Sequence, residues 1–360
     1  MKWMLLLVLA ARILAADWQP APQNYALTFP KDHGSHPAQK IEWWYFTGNL
    51  QASDGHLFGY QLTFFRIGTD PQPANPSAWT VRDLHMAHFA VSDLSGGRYF
   101  HQQRLNRAGP GLCGADLEGL AVWNGPWRAE MKDANQISLQ ANDPACEINL
   151  TLAVTQPPVL HGDRGYSRKG VTAGNASIYY SLTRLGSSGT LRIGGQSFAV
   201  TGQSWMDHEF GSSFLEPGQM GWDWFSLQLD DGSDLMLFQI RQAVGSPAMS
   251  GTLVKTDGTV EVLTRDHLKL GHSETWKSPA TGAQYPLKWT VSLPQHHLEL
   301  KVSTLLSDQE MISPKAGPSY WEGAVVAEGV QNGQPIRGRG YLEMTGYSGA
   351  AMRSFFHPEK

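Results

Sequence analysis

Cysteine is scarce in this chain: its 360 residues include only Cys113 and Cys146. Two thiols are too few for a zinc site built from cysteines. In an oxidising compartment they could form one disulfide, which would add about 3–4 kcal/mol of stability for a loop of this length. Otherwise they remain separate thiols, and the sequence leaves both alternatives open.

Charge of one sign and long apolar runs are also missing. The net charge is -4, and no basic block or Lys/Arg stripe with interleaved aromatics occurs, so we expect no nucleic-acid partner.

The longest early apolar run, Trp3–Ala11, is shorter than the roughly 20 residues that span a bilayer. With Lys2 before it and Ala15 and Ala16 after it, residues 1–16 are predicted to be a cleaved signal peptide. A buried N-terminal helix is the alternative. We therefore expect a periplasmic or secreted protein that does not span a membrane.

Helical periodicity is nearly absent. The sequence is instead rich in turn formers and aromatics, with Gly 38, Pro 21 and Trp 13. Short strands separated by glycine and proline turns are typical of barrels and sandwiches. The glycine-rich segment 157–174 lacks the GxxxxGK[ST] pattern of a phosphate loop, and no helix follows it. We therefore expect an all-β fold and no cofactor.

One motif occurs twice. Gly202–Gly211 reads GQSWMDHEFG, and Gly338–Tyr347 reads GRGYLEMTGY. An ungapped alignment places Asp207 on Glu343. The first copy keeps an acid, a base and a second acid, so we expect chemistry or ligand contact there.

A hairpin pattern is repeated in the same order. Residues 43–66 and 221–241 each contain Trp-x-x-Phe, a strand, Asp-Gly, a second strand and a closing arginine. Two repeats in one order indicate internal duplication. A length of 360 residues suits two domains. We predict tandem β-barrel domains at 17–195 and 196–360.

Strand alternation assigns faces to the charged residues. Alternate residues of a strand share a face, so Asp207 and Glu209 point one way and His208 the other. A carboxyl among Trp and Phe rings should be desolvated, and its raised pKa would let it donate a proton at neutral pH. The alternative is that the two carboxylates pair with a basic residue such as Arg66 or Arg241.

Glu42 is a second candidate acid. It lies in the aromatic strand 41–50 and shares a face with Trp44 and Phe46, whereas Trp43 and Tyr45 lie on the other face. If Glu42 points inward, it should pair with Arg66, because buried charges need partners. No metal site is predicted, since the histidine pair His33 and His36 in a loop specifies one only weakly.

The candidate site combines acids, a base and aromatic side chains. The predicted catalytic residues are Asp207, His208, Glu209 and Glu42. The predicted ligand-binding residues are Trp44, Tyr45, Tyr180, Trp205, Trp222, Asp223, Trp224 and Tyr320. Small barrels either hold one small ligand or are filled by side chains, so core packing is the alternative role for the aromatics.

The motifs EWWYFTGNL, FGYQLTFFR, GYSRKG, SWMDHEFG, GWDWFSLQL and GYLEMTGY together resemble the AttH-type lipocalin-like exported proteins. That family is often labelled predicted secreted hydrolases and shares a superfamily with carotenoid 1,2-hydratases. The resemblance covers roughly residues 37–350. It implies two tandem lipocalin-like barrels, a cavity for an apolar ligand, and genes that lie beside ABC-transporter components.

The hydratases suggest a role for one acid. In them an Asp after aromatic-x protonates a carbon–carbon double bond, aided by an upstream strand with His-x-Trp. Asp207 behind Trp205 matches the Asp, and Tyr180 takes the aromatic position, but the histidine is absent.

Two functions remain open. The first is an exported protein that binds a lipid or polyene-like molecule as an accessory to an ABC transporter. The alternative is acid-catalysed hydration, cyclisation or hydrolysis of an apolar substrate with Asp207 as the general acid. Serine hydrolysis has no support, because Ser204 in GQSWM does not match GxSxG.

Overall fold

The computed structural model describes residues 17–77, 80–109, 111–212, 215–313, 317 and 319–349. The predicted signal peptide, residues 1–16, lies outside this range. Among the described residues, helix is limited to short 3-10 turns at Lys31–His33, Arg265–His267 and Pro294–His296. None of the described helices is long and apolar enough to cross a membrane.

Thirteen strands form the first sheet: β1 (Ile41–Ala52), β2 (Leu57–Gly68), β3 (Asp83–Asp93), β4 (Arg98–Arg107), β5 (Cys113–Ala115), β6 (Ala121–Asn124), β7 (Trp127–Asp133), β8 (Gln136–Asn142), β9 (Cys146–Val154), β10 (Val159–Leu160), β11 (Tyr166–Arg168), β12 (Ala176–Ile193) and β13 (Gln196–Gly211).

Ten strands form the second sheet: β14 (Gln219–Leu229), β15 (Asp234–Gln242), β16 (Ala248–Val254), β17 (Val260–Thr264), β18 (Lys269–Lys277), β19 (Gln284–Leu293), β20 (Leu298–Thr304), β21 (Glu310–Met311), β22 (Tyr320–Gln331) and β23 (Gln334–Met344).

The two sheets have matching topologies. The first runs β4-β3-β2-β1-β13-β12-β9-β8-β7-β6-β5, and the second runs β17-β16-β15-β14-β23-β22-β20-β19-β18. Strand β14 takes the place of β1, and β23 takes the place of β13. Each sheet curls around its own apolar core into a nearly closed barrel. The chain is therefore all-β, with two lipocalin-like barrels of the same strand order, as internal duplication predicts.

The change from one sheet to the other comes later than the sequence-based boundary at 195/196. Strands β12 and β13 pair with each other from Ser177–Gly211 to Ile193–Gln196, and both belong to the first sheet. Gly194 and Gly195 form the tight turn between them, with φ of 56° and 85°. These glycines supply the left-handed conformation of a hairpin turn, not a linker. The sheets change between Gly211 and Gln219.

Strand alternation divides the side chains between the barrel interiors and the junction. In β1, Trp44 and Phe46 lie in the first barrel's core, whereas Tyr45 belongs to a cluster shared with the second barrel. In β14, Phe225 lies in the second core and Trp224 in the shared cluster. These strands are buried on both faces, which explains why the sequence is aromatic at successive positions rather than at alternate ones.

Close backbone approach holds the barrels together. Gly59 in β2 pairs regularly with β1, so it makes no bulge, but a Cβ built there would lie 2.8 Å from Ala324 Cβ and 2.7 Å from the Tyr341 hydroxyl. Asn49 Nδ2 donates to the Gly340 carbonyl at 3.1 Å across the same contact. A side chain at position 59 would force the barrels apart.

The two cysteines lie on different strands of the first barrel. Cys113 in β5 and Cys146 in β9 are both buried and both unlinked. Of the two alternatives, the structure has separate thiols. Burial raises the pKa of each thiol to about 12, so neither is a reactive thiolate at neutral pH.

Candidate functional site

Two equivalent strands carry an acid to the junction between the barrels. In β13, Asp207 lies opposite Tyr45 of β1 and Ser181 of β12. In β23, Glu343 lies opposite Trp224 of β14 and Glu322 of β22. Because the outward faces of these strands meet, the duplicated motif brings one carboxyl from each barrel to one place.

A chamber of about 100 Å³ lies at that place. Both barrels line it, with Asp207, Glu209 and Glu343 as its acids and Lys169 as its ammonium group. Its aromatic walls include Trp43, Tyr45, Phe65, Trp222, Trp224 and Phe238. The chamber is therefore mainly apolar, and its few polar groups converge, as in small-molecule sites.

Asp207 is 4% exposed and has no basic partner among the described residues. Its Oδ1 accepts from Trp205 Nε1 at 2.6 Å and contacts the Ser181 hydroxyl, and its Oδ2 accepts from the Tyr179 hydroxyl at 2.8 Å. Burial outweighs these hydrogen bonds and raises the pKa of Asp207 to about 7. A large part of the Asp207 population is therefore a neutral carboxylic acid near neutral pH.

A buried histidine stands behind this acid. His161 Nε2 lies 2.6 Å from Ser181 Oγ, which itself contacts Asp207, and His161 Nδ1 lies 2.8 Å from Thr252 Oγ1 of the second barrel. Burial, together with the nearby Lys169, lowers the pKa of His161 to about 3, so the imidazole is neutral. Because the Ser181 hydroxyl donates to Asp207 Oδ1, the neutral ring can donate its Nε2–H to the Ser181 oxygen.

Glu209 shares the chamber face with Asp207 but has a different environment. Lys169 Nζ lies 2.6 Å from Glu209 Oε1, and the Ser177 hydroxyl donates to the same oxygen. The ammonium group also lies 5.0 Å and 4.7 Å from the ring centres of Tyr179 and Phe238. Glu209 is therefore the paired carboxylate of the chamber. Its partner is Lys169, not Arg66 or Arg241.

Glu343 faces Asp207 from the second barrel. Its Oε2 accepts from Trp222 Nε1 at 2.8 Å. Burial raises the pKa of Glu343 to about 7, and the nearby charges of Asp207 and Glu209 add to the rise. Two acids that interact in this way titrate as a pair and do not both ionise easily.

The model of the AttH-like family matches residues 20–347 of this chain. The chain belongs to the AttH-like family. A crystal structure of a putative AttH protein from Nitrosomonas europaea is similar to it, with 36% identity, a TM-score of 0.83, and coverage of 91% of this chain and 99% of that one. The resemblance that the motifs indicated is confirmed.

Two fungal proteins are more distant relatives of this AttH-like protein. The dehydratase asqC of Emericella nidulans is 23% identical over 281 residues, which is 73% of this chain and 77% of that protein. Kievitone hydratase of Fusarium solani subsp. phaseoli is 22% identical over 219 residues, which is 59% of this chain and 61% of the hydratase.

Several predicted site residues lie inside the first barrel of the AttH-like protein, away from the chamber. Glu42 Oε2 accepts from Arg66 Nε at 3.0 Å, and its Oε1 lies 3.0 Å from His208 Nε2. Arg66 and the histidines hold the pKa of Glu42 well below its usual range despite complete burial. Glu42 is thus an ion-paired carboxylate, the structural alternative, and cannot donate a proton at neutral pH.

His208, Trp44 and Tyr180 share this internal cluster. Trp44 stacks on His208 with ring centres 4.8 Å apart, and the Tyr180 hydroxyl lies 3.0 Å from His208 Nδ1. Burial lowers the pKa of His208. Strand alternation places these three residues on the face opposite to Asp207, where they pack the interior of the first barrel.

The remaining predicted residues divide in the same way. Asp223 lies inside the second barrel, where Arg241 Nε is 3.2 Å from its Oδ2 and the Tyr347 hydroxyl donates to Oδ1 at 2.9 Å. Tyr45, Trp222, Trp224 and Tyr320 line the chamber. Trp205 reaches it through its hydrogen bond to Asp207.

One group in the described part of the chain has a metal-like arrangement. Ligand atoms of His36, Glu42 and His208 all lie within 4.8 Å of one another. His36 Nδ1 and His208 Nε2 both contact Glu42 Oε1, at 2.8 Å and 3.0 Å, and the Arg66 guanidinium supplies positive charge at Glu42 Oε2. We therefore assign this group to the interior ion-pair network.

Sequence reasoning missed four residues of the site. Ser181 and Tyr179 follow from the register of β12 beside β13, which the sequence does not specify. Lys169 stands in the GYSRKG motif, whose unusual composition was the available signal. His161 comes from the segment between β10 and β11 and approaches Asp207 through Ser181.

Proposed function

We propose that this AttH-like protein is an acid-catalysed hydratase or dehydratase of an apolar substrate. The observation that carries the proposal is the Asp207 carboxyl, which is buried in an aromatic chamber and has a pKa of about 7. An acid with a pKa near the working pH is best suited to proton transfer, since it is partly protonated and still gives up its proton readily.

The residues that line the chamber indicate the course of the reaction. The Asp207 hydroxyl would give its proton to the less substituted carbon of a double bond, and the π electrons would form the new C–H bond. The cation left on the more substituted carbon would face the rings of Trp224 and Tyr45, and such faces attract cations. Water would then form the C–O bond and release a proton, which replaces the proton that Asp207 gave up. In the reverse direction an alcohol would lose water.

The names of the two fungal relatives support this assignment. One is a dehydratase and the other a hydratase, and the two names describe opposite directions of one reaction class. Identities of 22–23% leave the substrate open, so the substrate class is taken from the chamber. A branched alkene or tertiary alcohol fits best, because protonation by a carboxylic acid needs a stabilised cation.

Apolar ligand binding without turnover is the second candidate, and the aromatic walls favour it. In that case the protein would be exported, as residues 1–16 predict, and would carry a lipid or polyene for a transporter. Under this function Asp207 would have no chemical task, and a neutral acid facing a ligand chamber would be unexplained. Acid catalysis accounts for both features of the chamber.

A panel of trisubstituted alkenes of increasing size (2-methyl-2-butene, citronellol and farnesol) separates the two functions. We expect the protein to incorporate oxygen from isotopically heavy water into at least one of them and to dehydrate the matching tertiary alcohol. Asp207→Asn should abolish both reactions and still quench tryptophan fluorescence on alkene binding. Binding of all three alkenes by the unaltered protein without any product would contradict the enzyme and support the carrier.

A further inference from the structure

Internal duplication gives the chamber a second acid that matches the first. Asp207 and Glu343 take the same place in the repeated motif, and their strands, β13 and β23, take the same place in the two barrels. Both side chains line the chamber. A substrate there would lie between a carboxyl of the first barrel and a carboxyl of the second.

Glu343 is open to the chamber on one side. It is half-buried, whereas its neighbours Leu342 and Met344 are fully buried in the second core. Trp222 Nε1 fixes its Oε2 at 2.8 Å. In the described part of the chain no cation pairs with Glu343, in contrast to Glu209 and its partner Lys169. Its charge is therefore available to a water molecule.

Glu322 determines how much charge this part of the junction can hold. It lies directly opposite Glu343 in the sheet, is 1% exposed, and has the hydroxyls of Tyr45 and Tyr320 beside it but no cation among the described residues. An ionised carboxylate in such a place would be very costly. Two negative charges at directly opposed positions of a sheet also repel. Glu322 therefore keeps its proton, and burial raises its pKa well above the usual range.

The buried Tyr45 hydroxyl supports this assignment. It lies beside the Glu322 carboxyl, and the Tyr45 ring lines the chamber. Since Glu322 stays neutral, Glu343 is the carboxyl of the opposed pair Glu322 and Glu343 that can ionise. The junction then holds one exchangeable charge in each barrel, at Asp207 and at Glu343.

We propose that Glu343 is the second catalytic carboxyl, the base that activates water while Asp207 acts as the acid. This inference rests on the proposed function. In hydration, Asp207 gives its proton to one alkene carbon, the water oxygen bonds to the other, and Glu343 takes the proton that this water loses. The net change is the addition of one water molecule. Glu343 then returns a proton to water, and Asp207 regains one. Dehydration uses the same groups in exchanged roles.

The test compares Glu343→Gln with the unaltered protein and with Glu328→Gln, an exposed position on β22. With 2-methyl-2-butene, citronellol or farnesol as probe, Glu343→Gln should lower kcat by about 100-fold or more, with little change in KM. The unaltered protein should lose activity at low pH, because its base becomes protonated. Glu343→Gln should lack this pH dependence. Glu343→Asp should restore part of the rate, and Glu328→Gln should have no effect.

A titration without substrate keeps the two proposals distinguishable. Carbon NMR of labelled carboxyls should show two coupled steps near neutral pH, and Glu343→Gln should remove one step and lower the pKa of Asp207. Full activity with an unchanged pH profile in Glu343→Gln would overturn the role of Glu343 and leave the hydratase intact. If Asp207 and Glu343 titrate as a coupled pair but no alkene is turned over, the proposed hydratase activity itself is wrong. A Glu343 carboxyl that titrates below about pH 5 would overturn its place in the pair, since its ordinary range is near 4.

Discussion

Replacing Asp207 by Asn should change how the stability of the protein depends on pH. In the folded chain the pKa of Asp207 is about 7, and its ordinary value is 3.8. Between these values the folded state holds a proton that the unfolded state releases, so the unaltered protein loses stability as pH rises through this range. One pKa unit corresponds to about 1.4 kcal/mol, and the whole interval to about 4 kcal/mol.

The variant lacks this term because an amide does not ionise. The Asn oxygen can still accept from Trp205 Nε1, and its NH2 group can donate to the Tyr179 hydroxyl, so most of the contacts of Asp207 persist. We therefore expect the unfolding free energy of Asp207→Asn, relative to the unaltered protein, to rise by about 4 kcal/mol between about pH 4 and pH 8.

Urea unfolding followed by tryptophan fluorescence at several pH values measures this difference. Asp54→Asn is a suitable control, because Asp54 is exposed in the β1–β2 turn and Asn-Gly is an equally good turn sequence. Parallel curves for Asp207→Asn and the unaltered protein across the whole range would refute the reasoning, since Asp207 would then be ionised in the folded state at acid pH.

Three further substitutions test the surroundings of the site. Tyr179→Phe removes a donor to Asp207 and should raise the pKa of Asp207 by about one unit, seen as an activity loss displaced to higher pH. Arg66→Met leaves buried Glu42 without its cation and should cost about 3–5 kcal/mol in urea unfolding. Lys169→Met should cost a similar amount, because the Glu209 carboxylate of the chamber loses its partner. Variants as stable as the unaltered protein would contradict both ion-pair assignments.

Much of this arrangement could be predicted, because strand alternation needs only sequence. The rule separated Asp207 and Glu209 from His208, and Trp44 from Tyr45, and the structure has these residues on the expected faces. The repeated motif indicated the duplication, because β13 and β23 occupy equivalent places in the two sheets and share a residue pattern. The pairing of Glu42 with Arg66 followed from the need of a buried charge for a partner.

Other features depended on contacts that no local pattern encodes. Alternation assigns relative faces but not which face is inside, so Trp44 and Tyr180 were grouped with the chamber residues although they pack the barrel interior. The position of β13 in the first sheet is set by its long-range pairing with β1. His161 reaches Asp207 only because its segment folds against β12.

The central claim is that Asp207 is a neutral acid in the chamber near neutral pH. Infrared difference spectra between the unaltered protein and Asp207→Asn, recorded from acid to alkaline pH, test it most directly. We predict a protonated-carboxyl band that is present at about pH 6 and lost with a midpoint near pH 7, as the pKa of about 7 requires. A difference spectrum that contains only carboxylate bands at about pH 5 and above would contradict the account.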